Sequence, residues 1–265
     1  MTIATHWERA ADPTRRVGHA VEFHSEIAST NDRARAALSE PGGSGRAIVA
    51  DLQTAGRGRL GRTWLSPPAV NLMVSVGLRP SVTPASAWRL GAAAALAACE
   101  ACEPLDPLFV KWPNDLYTED GLKVGGILVE TALNGDRLAH AVIGLGLNVN
   151  WSRSEMPSDV ARSATSLRDL HGGDVDRVAL LRRYLAALDV EIDALEAGAS
   201  PVERLRRRSW LDGRRVQVET TDGPIEGDAL GIGDDGALLV RDDLGVRSVL
   251  FGDVIHVAPG GRAAA

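Results

Sequence analysis

Two long apolar segments joined by an Asn-Gly pair constrain the fold of this 265-residue chain more than any other feature. Residues 122–133 and 137–149 are rich in Val, Ile, Leu and Ala, and Asn134-Gly135 lies between them. Asn-Gly favours a tight turn whose twist matches that of two antiparallel strands. The sequence therefore predicts a hairpin of two long, buried strands.

Shorter strand-like and helix-like segments surround this hairpin. Strands are predicted at 19–24, 46–51, 70–78 and 108–112, where apolar and β-branched residues alternate or cluster. Helices are predicted from Ser29 to about Leu38, from Thr83-Pro84 to about Cys102, over 176–196, and from Pro201 to about Trp210. The helix that ends at Cys102 is rich in alanine, so we expect it to pack closely against a sheet.

The pattern of the sequence changes after residue 213. From Arg214 onward, short alternating segments are separated by Asp222-Gly223, Asp235-Gly236 and Leu244-Gly245, about ten residues apart. That spacing predicts a small β-barrel of about fifty residues. We therefore expect a flexible N-terminal segment (1–18), a main domain (19–211), a small C-terminal domain (212–258) and a disordered tail (259–265).

Charge and cysteine content restrict the class of function. The chain carries 29 Lys and Arg against 35 Asp and Glu, a net charge of −6, which disfavours general binding of DNA or RNA. Cys99 and Cys102 cannot form a disulfide framework or complete a four-ligand zinc site, and on a helix we expect them to be small buried residues. No apolar run reaches the ~20 residues that cross a bilayer, and residues 1–16 lack the apolar core of a signal peptide. We expect a cytoplasmic protein.

The most unusual motif is Gly56-Arg57-Gly58-Arg59-Leu60-Gly61-Arg62, in a long polar loop after the strand at 46–51. It matches the dinucleotide-binding pattern G-x-G-x-x-G, but two prolines follow instead of a helix and the expected acidic residue about twenty positions on is missing. Glycines let the backbone approach an anion, and arginines bind carboxylates or phosphates in bidentate fashion. The motif therefore predicts an anion site, mobile until its ligand arrives because the arginines repel one another. The alternative is a solvated basic turn or an RNA-contacting segment.

Polar or small residues interrupt other apolar segments. The stretch 111–115, Lys-Trp-Pro-Asn-Asp, ends a predicted strand, where a rigid scaffold can hold exposed polar groups. Lys123 lies just inside an apolar strand and indicates either a nearby anion or the exposed start of that strand. Gly144 and Gly146 indicate a close approach of the backbone to another group. Ser29-Thr30 indicates first of all a helix cap, with a hydroxyl left for a ligand only if a neighbour caps instead.

In this order the motifs resemble those of the biotin protein ligase family. The matching stretches are Ser29-Thr30-Asn31, Gln53-Thr54-Ala55 before the arginine motif, Lys111–Asp115, Lys123–Glu130 and Gly144–Asn148. The resemblance implies an α+β (mixed α/β) fold, with a central mixed sheet flanked by helices as in the biotin/lipoate ligase superfamily and a small C-terminal SH3-like β-barrel. Residues 19–211 would be the catalytic ligase domain. Because about eighteen residues precede the first core strand, the chain looks like the monofunctional type without an N-terminal DNA-binding domain.

The resemblance also implies a two-step reaction. Biotin's carboxylate attacks the α-phosphate of MgATP to give biotinyl-5′-AMP and pyrophosphate, and a lysine amine of a biotin carboxyl carrier domain then attacks the activated carbonyl. Positioning and neutralisation of negative charge would supply most of the catalysis. ATP and Mg²⁺ are the implied cofactors, with Mg²⁺ bound alongside ATP near Asn114 and not at a permanent metal site.

Site residues follow by resemblance, position by position. The catalytic residues would be Lys123, Arg57 and Asp115. The biotin-binding residues would be Ser29, Thr30, Asn31, Gln53, Gly56, Arg57, Arg59, Lys123, Gly125 and Gly126. The residues that bind ATP or the adenylate would be Arg59, Arg62, Trp64, Asn114, Lys123 and Asn148. The polar loop 151–164 matches no family position, so its contacts with adenine stay open.

The expected partners are biotin, ATP and the carrier domains of acyl-CoA carboxylases, without DNA or membrane. We expect a monomer or a weak homodimer; edge strands near 137–149 could pair between subunits, and the sequence does not decide between the two states. One alternative is a lipoate or octanoate protein ligase of the same superfamily. Another is a non-enzymatic nucleotide-binding or nucleic-acid-binding protein, which the acidic residues between 214 and 257 disfavour.

Overall fold

A computed structural model describes residues 3–257 of the chain. Within that range the strands form two sheets, one of seven strands (the large sheet) and one of five (the small sheet). The helices are α1 (Ile3–Glu8), α2 (Thr30–Ala37), α3 (Trp88–Cys102), α4 (Ser158–Ala161), α5 (Leu167–His171), α6 (Arg177–Glu196) and α7 (Val202–Arg207). The strands are β1 (Val21–His24), β2 (Ala47–Ala50), β3 (Leu72–Leu78), β4 (Phe109–Lys111), β5 (Asp115–Tyr117), β6 (Lys123–Asn134), β7 (Arg137–Leu147), β8 (Arg215–Thr220), β9 (Gly223–Ile232), β10 (Leu238–Asp242), β11 (Gly245–Val249) and β12 (Asp253–Val257).

The predicted hairpin lies in the middle of the large sheet, whose strand order is β1-β2-β3-β7-β6-β5-β4. β6 and β7 pair in antiparallel fashion, and Gly135 in their turn has a φ of 57°, which glycine adopts without strain. β7 also pairs with β3 from Ala141 to Leu147, so this part of β7 lies inside the sheet and not at its edge. β1 and β2 are parallel whereas β2 and β3 are antiparallel. The sheet is therefore mixed, as the predicted α+β fold class requires.

Alternation along the strands gives the large sheet two different faces. In β3, Leu72, Val74 and Val76 belong to the main apolar core, beside α3 and α6. The residues between them face the opposite way, where Ser75 hydrogen-bonds to residues of α2. Successive side chains of a strand point to opposite faces, so a single strand supplies both the core and a polar surface. We call the face that carries α2 the α2 face.

α3 covers the apolar face with small side chains, as its alanine content predicts. Cys99 and Cys102 are buried in this helix as free thiols. Burial raises the pKa of each thiol to about 12, so neither is a nucleophile at neutral pH. This confirms the expectation that both are packing residues.

The N-terminal segment, for which flexibility was predicted, contains a helix that packs on the core. α1 lies within it, and Trp7 is only 2% exposed, stacked on Phe23 with ring centroids 5.9 Å apart. The guanidinium of Arg177 lies 5.1 Å from the Trp7 ring centroid, and Val17 is fully buried. The apolar residues of this segment are too irregularly spaced to reveal a periodic pattern, so the sequence did not indicate the packing. The predicted disordered tail, 259–265, lies outside the described residues.

The small sheet is antiparallel, in the order β11-β10-β9-β8-β12. Its first strand along the chain, β8, begins just after the boundary predicted at 212. Two hydrogen bonds attach the small sheet to the last residue of β4 and to the residue that follows. Trp112 Nε1 donates to the carbonyl of Gly236 at 3.1 Å, and Lys111 Nζ donates to that of Val254 at 3.0 Å. Across residues 3–257, no helix is both long and apolar enough to cross a membrane.

Candidate active site

A cavity opens on the α2 face of the large sheet. Its floor comes from β3, β6 and β7, and its sides from the start of α2 and the loop that carries the arginine motif. The lining residues are Ser29, Thr30, Asn31, Gln53, Arg57, Gly58, Arg59, Arg62, Thr63, Trp64, Ser75, Asn114, Asp115, Lys123, Gly126, Ile127, Leu128, Gly144, Leu145 and Gly146. Twelve of the fifteen residues proposed by resemblance are among them. Stretches that lie as far apart in the sequence as 29–31 and 114–126 therefore meet in one place.

Hydroxyl and amide groups form one part of the lining. The backbone N–H and the Oγ1 of Thr30 both donate to Gln53 Oε1, at 2.8 and 2.9 Å, which fixes the orientation of that amide. Ser75 Oγ lies 2.7 Å from Thr30 Oγ1 and 2.6 Å from Asn31 Oδ1. Ser29 occupies the N-cap position of α2 but makes no side-chain capping bond. These groups are therefore oriented toward one another and toward the cavity, and the hydroxyl of Ser29 is not used by the cap.

Cations form the other part. The arginine motif folds back on itself, since Gly58 N–H donates to the carbonyl of Arg62 at 2.7 Å and Leu60 takes a left-handed φ of 55°. Arg57 bonds to Asp32, and Arg62 Nη2 lies 2.9 Å from Asp253 Oδ2 on β12. The predicted repulsion between the arginines is thus offset by carboxylates of the chain itself. A single 3₁₀ turn, not an α-helix, lies within the motif, in agreement with the exclusion of a dinucleotide-binding fold.

Arg59 differs from its two neighbours. It is about half buried, and burial lowers the pKa of its guanidinium although the charge of Asp253 opposes this. Its hydrogen bonds, both 3.4 Å long, go to Asn114 Oδ1 and to the carbonyl of Gly252. Among the described residues Arg59 makes no ion pair within 4 Å, so the cavity contains a guanidinium whose charge is not directly neutralised.

Lys123 and Asp115 face each other across two neighbouring strands. Lys123 opens β6 and Asp115 opens β5, and Nζ donates to Oδ1 at 2.7 Å. The sequence left open whether Lys123 has an anionic partner, and the structure supplies one. Its Nζ also lies 5.9 Å from the ring centroid of Trp64. Trp64 Nε1 is buried and finds no hydrogen-bond acceptor among the described residues, so it is a donor available to a ligand in the cavity.

Glycines in the floor make room for these side chains. A Cβ on Gly144 would lie 2.3 Å from Asn31 Oδ1, and one on Gly146 would lie 2.7 Å from the Trp64 ring. The predicted close approach is therefore made by two residues of the site itself. On Gly126 a Cβ would lie 3.2 Å from Asp115 Oδ1, so this glycine also borders the lysine–aspartate pair.

Three residues proposed by resemblance do not line the cavity. Asn148 is buried and its Nδ2 donates to the carbonyl of Thr165 at 3.1 Å, so it joins two backbone segments and does not line the cavity. A Cβ on Gly125 would lie 2.6 Å from the carbonyl oxygen of Gly146, and one on Gly56 2.9 Å from that of Trp64. Those glycines permit close backbone packing and do not contact the cavity. In the described structure, loop 151–164 contributes no lining residue either.

The sequence analysis missed some lining residues and neighbours of the site. Ser75 carried a signal, because it is a single hydroxyl inside the apolar strand 72–78. Asp32 and Asp253 carried none, since each is an ordinary surface acid until the fold brings it to an arginine.

Comparison with known proteins fits this geometry. The family described as "Biotin/lipoate A/B protein ligase family" matches residues 25–148, and "Biotin protein ligase C terminal domain" matches residues 213–257. A Mycobacterium tuberculosis protein named Biotin--[acetyl-CoA-carboxylase] ligase is 36% identical over 244 residues, which cover 88% of this chain and 87% of that protein. The chain belongs to the biotin protein ligase family.

This chain is also similar to other proteins named as biotin protein ligases or ligase/repressors. The Bacillus subtilis protein named Bifunctional ligase/repressor BirA is 31% identical over 242 residues, 90% of this chain and 74% of that protein. A solved structure titled as a biotin protein ligase from Aquifex aeolicus in complex with biotin and ATP superposes with a TM-score of 0.76 at 30% identity, covering 88% of this chain and 97% of that one. The predicted family, fold class and enzyme class are thereby confirmed.

Proposed function

We propose that this biotin protein ligase family member activates biotin with MgATP to biotinyl-5′-AMP and transfers the biotinyl group to a lysine of a carboxyl carrier domain. One observation carries the proposal. A single cavity combines an oriented set of hydroxyl and amide groups with four cationic side chains. Biotin has the matching composition, a ureido ring at one end and a carboxylate at the other, and ATP adds further negative charge.

Biotin binding uses the two parts of the lining separately. Ser29, Thr30 and Gln53 offer hydroxyl and amide groups to the N–H and C=O of the ureido ring, whose polar atoms need partners when buried. Arg57 offers a guanidinium to the carboxylate. Gly126, without a side chain, leaves room on β6 for the aliphatic tail between them.

In the first step a carboxylate oxygen of biotin attacks the α-phosphorus, the bond to the β-phosphate oxygen breaks, and pyrophosphate leaves with that electron pair. Lys123 stabilises the two anions as they converge, since it is the lysine ammonium in the cavity. Arg59 and Arg62 hold the phosphates. Trp64 borders the nucleotide and offers its Nε1–H.

Magnesium enters as part of the substrate MgATP. Mg²⁺ prefers oxygen ligands, and it usually takes one or two from the protein and the rest from phosphates and water. Asn114 and Asp115 present such oxygens in the cavity. Asn114 Nδ2 donates to the carbonyl of Ile127 at 2.7 Å, which turns Oδ1 toward the cavity, where it accepts the 3.4 Å bond from Arg59. Residues 3–257 contain no group of three or more His, Cys, Asp and Glu that could hold a metal on its own.

In the second step an uncharged lysine amine of the acceptor attacks the acyl carbon, the bond to the phosphate oxygen breaks, and AMP leaves. Asp115 orients the incoming amine or accepts its proton, because its carboxylate lies beside Lys123. We propose carrier domains of acyl-CoA carboxylases as acceptors and, because ATP is a substrate and both cysteines are free, a cytoplasmic location.

Pyrophosphate release tests the proposal. The purified chain with MgATP should release pyrophosphate with biotin, and not with lipoate or without an added acid. Release with lipoate alone would assign the chain to the lipoate branch of the superfamily. Silence with both acids would contradict ligase activity and favour a binding protein, which a titration with labelled oligonucleotide would then examine.

A further inference from the structure

The guanidinium proposed to hold biotin's carboxylate already holds a carboxylate of the chain. Arg57 Nη1 donates to Asp32 Oδ2 at 2.8 Å, and Nη2 donates to Asp32 Oδ1 at 2.7 Å. This is the bidentate arrangement by which arginine recognises a free carboxylate. The two terminal nitrogens of Arg57 are therefore engaged before any ligand arrives.

The position of Asp32 allows it both to bind Arg57 and to release it. It lies in the first turn of α2, directly after the cavity residue Asn31. Its Oδ1 also accepts from Arg35 Nη1 at 2.8 Å, so the carboxylate keeps a cationic partner when Arg57 leaves. The side chains of Asp32 and Arg57 are 46% and 38% exposed, and water can therefore solvate both during the exchange.

The charges around Arg57 are balanced in the ligand-free chain. Glu130 Oε1 lies 3.6 Å from Arg57 Nη2, and Glu130 also accepts from Arg35 Nη2 at 2.9 Å and from Asn31 Nδ2 at 2.7 Å. Two carboxylates thus face two guanidiniums. Hydrogen bonds from Arg57 and Arg35 lower the pKa of the Asp32 carboxyl to about 2, so Asp32 is ionised at neutral pH. A third carboxylate entering this group must displace one that is already there.

We propose that Asp32 competes with the carboxylate of biotin for Arg57 and thereby sets the affinity for biotin. This inference rests on the proposed function, since it takes biotin's carboxylate as the ligand of Arg57. The opposite role, in which Asp32 holds Arg57 in position for biotin, predicts the opposite sign on substitution. The two roles are therefore separable by one binding measurement.

The substitution Asp32→Asn keeps the size of the side chain and removes the competing charge. An exposed ion pair is worth up to about 1 kcal/mol, or about fivefold in a binding constant. Calorimetric titration should therefore show biotin binding about two- to fivefold tighter to Asp32→Asn than to the wild type. Biotin amide, which has no carboxylate charge, should bind both proteins equally.

Two control variants isolate the contact. Glu40→Gln makes the same change of net charge on a carboxylate that pairs with Arg33 and Arg46 outside the cavity, and it should leave biotin affinity unchanged. In an Arg57→Gln background, adding Asp32→Asn should have no effect on biotin binding, because the group for which they compete is gone.

Every other result overturns the inference. Unchanged or weaker biotin binding by Asp32→Asn contradicts competition, as does an equal change for biotin and its amide. A tightening that persists without Arg57 would mean that Asp32 acts through the general field of the cavity. If the wild type binds neither biotin nor its amide, the proposed function is contradicted. If the wild type binds biotin and Asp32→Asn binds it equally well, only the competition is contradicted.

Discussion

Replacement of Lys123 by alanine should nearly abolish adenylate formation and leave the fold intact. The Lys123–Asp115 pair is partly exposed, at 31% and 22% of the two side chains, so its loss should cost at most about 1 kcal/mol of stability. In a chain of this length that lowers Tm by about 2–4 °C. The expected cost to catalysis is much larger. Two unit charges 4 Å apart interact by about 4 kcal/mol at an effective dielectric of 20. Loss of one preorganised group that stabilises transition-state charge slows reactions about 10²- to 10³-fold.

Single-turnover pyrophosphate release with saturating biotin and MgATP measures the first step, and thermal unfolding measures the fold. Lys111→Ala is a matched control, because Lys111 is the other lysine and donates to the Val254 carbonyl on the small sheet without lining the cavity. It should show the reverse pattern, with a lower Tm and a release rate close to that of the wild type. A Lys123→Ala protein that releases pyrophosphate within tenfold of the wild-type rate would refute the assigned role. Adding Asp115→Asn to Lys123→Ala tests whether the unpaired aspartate alone causes the loss of pyrophosphate release. Recovery of the release rate in the double variant would also refute the role assigned to Lys123.

Further substitutions probe other parts of the molecule. Arg59→Gly removes the guanidinium that lacks a direct ion pair and should let the adenylate escape, seen as biotin on an added bystander protein; unchanged acceptor selectivity would contradict this. Gly146→Ala places a methyl group 2.7 Å from the Trp64 ring and should lower the free energy of unfolding in urea by about 1–3 kcal/mol. It should also raise KM for ATP more than KM for biotin, and equal effects on the two KM values would argue against the position given to Trp64. Trp112→Phe removes the bond to Gly236 and should cost about 0.5–1.5 kcal/mol without changing the release rate, so a slower rate would show that this bond also shapes the cavity. Because the folded pKa of Asp32 is lowered to about 2 from 3.8, its contribution to stability is complete above pH 3.8 and is lost as the pH falls toward 2; acid unfolding of Asp32→Asn should lack this component, and identical curves for both proteins would dismiss it.

Local sequence patterns predicted the parts of the fold that have local causes. The Asn134-Gly135 turn specifies its own hairpin, and the alanine-rich helix packs against the sheet as its composition predicted. β5, at 115–117, was missed because three residues are too few to show an alternating pattern. α1 was missed because Trp7 is the only Trp, Phe or Tyr in the largely polar residues 1–18, and only the fold provides its partner Phe23.

In the candidate site, too, features with a local cause were predictable and contacts made only by the fold were not. Motifs identified most of the cavity residues, and the glycines of β7 correctly indicated a close approach. The counter-ions of the arginines were not predictable, since Arg57 meets a residue 25 positions away and Arg62 meets one on the last strand. Asn148 is the converse case. It belongs to a matching motif, but its position at the end of β7 directs its amide to Thr165 and not into the cavity.

The engagement of both lysine amines bears on whether the enzyme can biotinylate itself. The chain contains 27 arginines and only two lysines, Lys111 and Lys123. One amine donates to a backbone carbonyl next to the small sheet, and the other is bound by a carboxylate. Arginine does not form amides with an acyl adenylate under conditions in which lysine does, because its guanidinium stays protonated. The chain therefore offers the acyl adenylate only two lysines, each already engaged in a hydrogen bond, and escaped intermediate should label bystander proteins more than the enzyme. Biotin found on either lysine after turnover by Arg59→Gly would show that these hydrogen bonds do not protect the enzyme from acylation.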